Sequence, residues 1–376
     1  MSREFSLYLD VLRLLAALVV LASHATGYAY GEVAWWPGSL GHNAVVVFFL
    51  LSGYVIAFVA DGKESTARDF WASRLARIYS VALPALLLTM VADRIGLALD
   101  PQFYKGGLTT HDYTWVRLAA SAVFANELWL FSIMPFSNSP YWSLCYEMAY
   151  YLLFSLWCFG GARRWWWIGA AALVIGPKIL LLAPVWLLGV VLYRHRAWYD
   201  IAPGAGWALW LGSMVAIAAF QVVDVTELLS SWTHGLLGDW LHVRLHFSKR
   251  FLGDYLLAVL IAANFVGFRA IAGSFSGMLS ALAAPIRKAS SYTFSIYLFH
   301  LPLVFMFVIV FRSMGPGLAR LALVLASTLA VVVALGAITE QRKDGLRRWL
   351  LKVLPGGGTQ ALPVERLAAK PEMPHA

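Results

Sequence analysis

Apolar residues in this chain fall in long unbroken runs rather than in alternation, and most runs have the length of a bilayer crossing. A hydrocarbon core about 30 Å thick asks for about 20 helical residues. Such windows occur at Leu7 to Ala29, Ala44 to Ala60, Ile78 to Leu97, Pro140 to Phe159, Gly206 to Val223, Leu252 to Phe268, Tyr292 to Phe311 and Leu318 to Ile338. Two stretches are ambiguous. Tyr113 to Phe131 carries Arg117, Asn126 and Glu127, while Trp165 to Tyr193 is too long for one upright helix and is broken by Pro177 and Pro184. If the first lies at the interface and the second folds as a short hairpin, the basic clusters share one side with both termini. Those clusters are Arg68 to Arg77, Arg163 with Arg164, Arg194 to Arg196, Arg269 to Lys288 and Arg342 to Lys352. If the first spans and the second is one tilted helix, Arg163 and Arg164 fall on the other side. Both arrangements give about ten spans, and the positive-inside rule favours the first. The expected fold is an all-α polytopic membrane bundle of about ten helices with both termini cytoplasmic.

Composition removes the alternatives. Of 376 residues, 60% are hydrophobic and 13% charged, which leaves too few charges to cover a water-facing surface of this size. Two cysteines in one apolar stretch, Cys145 and Cys158, exclude a disulfide scaffold. The net charge of +9 sits in short clusters between apolar runs, so it reads as loop charge rather than a nucleic-acid surface. The first run is too long for a signal-peptide core and has further spans after it, which makes it an uncleaved signal-anchor. Residues 1–354 form one transmembrane domain, and 355–376, rich in Gly, Pro and Ala, read as a disordered cytoplasmic tail.

Ionisable groups at membrane depth cost about 2.5 to 3.5 kcal/mol or more each, so each is a candidate site. The first helix holds Asp10, Arg13 and His24. Eleven residues at about 100° each return to one helix face, so Arg13 and His24 point the same way, about 16 Å apart along the axis. The alternative is a snorkelling Arg13 and a His24 that hydrogen-bonds a neighbouring backbone. Arg74 and Arg77 begin the third helix as a positive-inside anchor or as a phosphate grip. Glu147, in YWSLCYEMAYY with Trp142 and Ser143, needs a partner or a proton. Ser291, Ser295, Tyr297 and His300 share the run SSYTFSIYLFHLP, and a satisfied core histidine would account for His300 taken alone. His242 and His246 have a chelating spacing but lack further ligands, so no metal is expected. Ser52, in SGY, lacks the glycine pattern of a nucleophile elbow.

In order along the chain, LDVLRLLAALVVLASH (9–24), FFLLSGYVI (48–56), RLAR (74–77), WSLCYE (142–147), WLLGVVLY (186–193) and SYTFSIYLFH (291–300) together resemble the membrane acyltransferase-3 family. The resemblance covers nearly the whole chain. It implies transfer of an acyl group, commonly acetyl from acetyl-CoA, to a hydroxyl of a saccharide, glycolipid or similar acceptor in an inner membrane. His24 then maps to the family's catalytic histidine, and Arg13, Arg74 and Arg77 to its donor-linked arginines. Trp142, Ser143 and Glu147 match its tryptophan-serine-leucine and glutamate motif; Asp10, Tyr297 and His300 read as supporting or substrate residues. Val11 stands where the family has its usual glycine, which suggests different local packing, and Val46 where it often has an acid or a proline, which puts any acidic role there in doubt.

Acyl transfer to an alcohol needs a base for the hydroxyl proton, which suits an imidazole. By analogy with carboxylate-imidazole pairs, Glu147 is expected to orient His24. The competing class is a transporter or flippase of lipid-linked saccharide that uses Arg13, His24 and Glu147 as a substrate or proton path. Membrane lipid surrounds either protein, and association with further copies is left open.

Overall fold

The computed structural model describes residues 1–31, 39–62, 64, 66–104 and 111–355. The expected disordered tail lies outside them, apart from Pro355. Among the described residues the regular structure is helical, without strands. The chain runs through α1 (Arg3–Ala25), α2 (Leu40–Gly62), α3 (Ala67–Leu99), α4 (Thr114–Ala122), α5 (Trp142–Phe159), α6 (Arg164–Ile175), α7 (Pro177–Arg194) and α8 (Pro203–Val222). It continues through α9 (Val225–Arg244), α10 (Phe251–Ile271), α11 (Ser276–Ala281), α12 (Ala283–Ser290), α13 (Thr293–Val310), α14 (Leu318–Ile338) and α15 (Lys343–Val353).

Local chemistry sets several boundaries. Ser2 caps α1 by accepting from the Phe5 amide at 3.2 Å, and Thr66 caps α3 by accepting from the Asp69 amide at 3.1 Å. Pro177 and Pro203 occupy first turns, where the missing N–H costs nothing. Among the described residues, eight segments are long and apolar enough to cross a bilayer. The aromatic α5 and the twelve-residue α6 are not among them. Trp71 donates to Ser155 of α5 (3.0 Å), and the Trp129 amide donates to Ile175 O at the end of α6 (3.0 Å). The stretch Trp165 to Tyr193 is thus a hairpin, turned at Gly176 with φ +86°. Tyr113 to Phe131 does not cross: its helix α4 has nine residues, and positive φ at Phe124 and Trp129 keeps the following segment in turns.

The basic clusters gather at the end of the bundle where α1 starts. Arg68 donates to Leu351 O, Arg347 to Ser73 Oγ at 3.0 Å, and Arg269 to Tyr54 OH at 3.2 Å, while Arg194 lies 4.1 Å over Trp157. The interior is built around α13, whose window is 78% buried, whereas α8 at 17% turns most of its surface outward to lipid. α2 and α7 pack backbone to backbone. A methyl group on Gly53 would overlap Trp186 O, and one on Gly189 would overlap Leu50 O.

At the opposite end, a buried network holds the segment that leads into α5. Lys178 of α7 and Glu127 form an ion pair with both side chains fully buried, and Lys178 Nζ also donates to Phe131 O at 2.5 Å. Glu127 accepts from Ser132 Oγ at 2.5 Å. Asp93 accepts from the Ser137 amide at 3.1 Å, and Asn138 donates to Thr89 Oγ1 (3.1 Å) and Leu298 O (2.9 Å). These bonds set where Trp142 and Ser143 enter the bundle.

Candidate active site

The last turn of α1 brings His24 against His300 of α13. His24 Nδ1 and His300 Nε2 are 2.8 Å apart, with the rings nearly parallel at 14°. His300 Nδ1 faces the carbonyls of Ile296 (3.0 Å) and Tyr297 (2.7 Å), which only accept. Nδ1 of His300 therefore carries its proton and Nε2 its lone pair. His24 must donate from Nδ1, which leaves His24 Nε2 as a bare lone pair. His300 is fully buried and His24 is partly exposed. A hydrogen-bonded imidazole with one free basic nitrogen is the arrangement a general base requires.

Eleven residues earlier on α1, Arg13 lines a cavity between α1, α2, α3, α5 and α13. Arg77, Ser143, Glu147 and Tyr297 line it too. Arg13 lies 3.4 Å from Asp10, while Arg77 has no carboxylate within ion-pair distance among the described residues. Ser143 Oγ and Tyr297 OH are 2.9 Å apart, and Tyr297 OH donates to Pro140 O at 3.0 Å. Tyr297 is part of the cavity wall, and its ring centroid is 6.3 Å from that of His300. The cavity wall thus combines the Arg13 and Arg77 guanidiniums with polar and aromatic side chains, and His24 and His300 lie outside its lining. Its two guanidiniums fit an elongated anion carrying phosphates.

Two residues stand elsewhere than expected. Arg74 does not face the cavity. It is buried against Glu64 at 2.6 Å, with its guanidinium 4.8 Å over the Phe70 ring. Burial pushes the Glu64 carboxyl above its ordinary range and Arg74 draws it back down. The neighbouring turns of RLAR therefore divide the work: Arg77 faces the cavity and Arg74 locks the entry of α3. Glu147 is also not beside His24. It accepts from Ser52 Oγ at 2.9 Å and from Tyr151 OH, because its turn of α5 lies at the depth of the middle of α2. Ser52 also accepts from Trp186 Nε1 at 3.2 Å, so it bridges polar groups on the cavity wall.

Trp142 stacks on Phe247 with centroids 4.4 Å apart and planes 2° apart. His242 stacks on His234, which pairs with Asp239 at 2.5 Å. Among the described residues no group of three metal-ligating side chains occurs. Sequence reasoning passed over His42 and Asp254, which pair at 2.9 Å. The available signal was the single acid in the apolar window Leu252 to Phe268.

Residues 6–337 match the family model described as an acyltransferase domain. The chain is 36% identical over 178 residues to the acyltransferase MdmB of Streptomyces mycarofaciens, covering 44% of this chain and 43% of that protein. It is 27% identical over 230 residues to an O-acetyl transferase of Shigella phage Sf6, covering 59% of this chain and 63% of that protein. The chain thus spans less than two thirds of either relative. No solved structure matches.

Proposed function

This chain belongs to the acyltransferase family matched by residues 6–337, and from that premise we propose that it is a multi-pass inner-membrane O-acyltransferase. It moves an acyl group, most simply acetyl, from acyl-CoA to a hydroxyl of a saccharide or similar acceptor. The observation that carries this reading is the His24–His300 pair, which leaves His24 Nε2 unoccupied at the end of α1 opposite the cationic cavity. By the positive-inside rule the basic end faces the cytoplasm, with both termini there. The names of the two relatives agree with acyl and acetyl transfer.

Arg77 and Arg13 hold the phosphates of the donor at the cavity mouth. The donor supplies an acyl thioester activated toward alcohols. The axial separation of Arg13 from His24, about 16 Å at 1.5 Å per residue, is the span an extended donor arm must bridge. His24 Nε2 takes the proton of the acceptor hydroxyl as the oxygen attacks, and His300 stabilises the imidazolium through the bond at Nδ1. The proton is then returned to the leaving sulfur. Glu147, Ser52 and Tyr151 shape the donor cavity.

The transfer is tested with purified protein, radiolabelled acetyl-CoA and a saccharide acceptor, where alkali-labile label on the saccharide is expected; label that never leaves acetyl-CoA would sink the reading. Arg77→Ala should raise the KM for acetyl-CoA about tenfold or more with kcat little changed. Arg74→Ala should instead lower thermal stability, because Glu64 loses its buried partner. Equal KM effects from both substitutions would contradict the division of roles. His300→Ala should slow transfer by about 10- to 100-fold, since His24 loses the group that holds its tautomer. Steady-state kinetics at saturating donor measure this, and an unchanged kcat would remove His300 from the mechanism.

A further inference from the structure

The surface of α9 is inverted. Its inward side is made of Thr226, Ser230 and Thr233, small hydroxyl residues at most 3% exposed, while Leu228, Trp232 and Leu236, 58% to 66% exposed, point away from the bundle. A helix that meets water on its outer side shows the reverse. At about 100° per residue the three outward residues, each four apart, form one ridge about 120° round from the inward side. The remaining side carries Glu227, Ser231 and His234. Glu227 pairs there with Arg250 at 2.9 Å, and His234 with Asp239 at 2.5 Å. Protein, polar and apolar sides in this order describe a helix that lies in a membrane surface, with the bundle beside it, water above and hydrocarbon beneath.

Its place in the fold agrees. α9 follows the lipid-facing α8, which ends on the exposed Val222 and Val223, and Leu228 continues that apolar surface. The start of α9 is pinned at the histidine end of the bundle. Thr226 donates to Asn43 Oδ1 at 2.9 Å, Ser39 Oγ donates to Asp224, and a methyl group on Gly253 of α10 would stand 2.8 Å from Thr226 Cα. Asn43 belongs to the first turn of α2, where a methyl group on Gly41 would stand 3.1 Å from Cβ of Ser23, the neighbour of His24. At Gly238, φ +73° turns the chain back, so His242 stacks on His234 with centroids 4.4 Å apart. The returning arm exposes Trp240 and Val243. Exposed Trp beside apolar residues is the composition of the headgroup layer. We propose that α9 is an interfacial helix whose partner is the lipid leaflet at the histidine end of the bundle. Leu228, Trp232 and Leu236 enter the upper acyl chains, and the bonds to α2 moor that end of the bundle to the leaflet surface.

The test uses full-length protein in phosphatidylcholine nanodiscs, with a bimane label on one introduced cysteine at a time: Leu228→Cys, Trp232→Cys, Leu236→Cys and Ser231→Cys. All four side chains are exposed, so the core keeps its packing, and labelled wild type corrects for Cys145 and Cys158. Phosphatidylcholine brominated in its acyl chains near the headgroup should quench the three ridge labels about fivefold or more over the Ser231→Cys label, and aqueous iodide should quench in the opposite order. Iodide reaching ridge labels as readily as the Ser231→Cys label would overturn the proposal, because it puts the ridge in water. So would ridge labels shielded from both quenchers, as a second copy or another protein seated on the ridge would leave them. Bromolipid quenching of all four labels alike would overturn it too, since a helix sunk in hydrocarbon has no water side. No step of the test needs acyl transfer, so its outcome is independent of the reading above.

Discussion

Protein carrying His24→Ala should still bind acetyl-CoA but transfer acyl groups about 10²- to 10⁴-fold more slowly than the wild type. The size of the effect follows from the pairing. Three of the four ring nitrogens of His24 and His300 are committed, two to each other and one to the carbonyls of Ile296 and Tyr297. His24 Nε2 is the one left to accept a proton, and removing the ring leaves His300 bonded to backbone with no route to replace it. Donor binding should survive because Arg13 and Arg77 lie at the other end of the path, about 16 Å away for Arg13. Single-turnover transfer with prebound radiolabelled acetyl-CoA separates the two quantities. A wild-type single-turnover rate in the variant would refute the assignment of His24 as base, whatever the donor affinity.

Lys178→Met should give the largest loss of stability, about 3 to 5 kcal/mol, because it leaves the Glu127 carboxylate buried without its cation. The damage should reach the site. Glu127 and Phe131 anchor to Lys178 the segment that ends in Asn138, Pro140 and Trp142, and Ser248 Oγ ties the Lys178 carbonyl to Tyr146 OH. The variant should therefore unfold at a lower temperature in detergent and be cleaved by protease between 111 and 140. Adding Glu127→Leu should restore much of the loss, since a buried ion pair replaced by apolar residues is often neutral or stabilising. A single variant as heat-stable as the wild type would mean that the pair carries no such strain.

Much of this architecture is legible along the chain. The apolar windows became α1, α2, α3, α8, α10, α13 and α14, with α3 starting well before its window, because each had the length and hydropathy of a span, while Pro140 to Phe159 became the helix α5, which is not among the segments apolar enough to cross. The two ambiguous stretches needed contacts. Glu127 inside Tyr113 to Phe131 looked like a polar residue in a weak span until its partner, 51 residues away, was visible. The site was legible as a set of residues and illegible as a set of pairs. Arg13 and His24 share a face of α1 by helical geometry. Glu147, however, bonds Ser52 and Tyr151 rather than His24, and Arg74 bonds Glu64 rather than lining the cavity.

The sequence by itself determined that the chain is a polytopic helical membrane protein, and it supplied its family resemblance and the list of ionisable groups sunk among apolar helices. Those properties are local. Transfer of a helical segment into hydrocarbon depends on its own length and side chains, so each window can be read without its neighbours. Only the tertiary structure decided that His24 pairs with His300, 276 residues away, and that His42 reaches Asp254, 212 residues away. A hydrogen bond demands two side chains within about 3 Å, and that depends on how packed helices are rotated and shifted against one another.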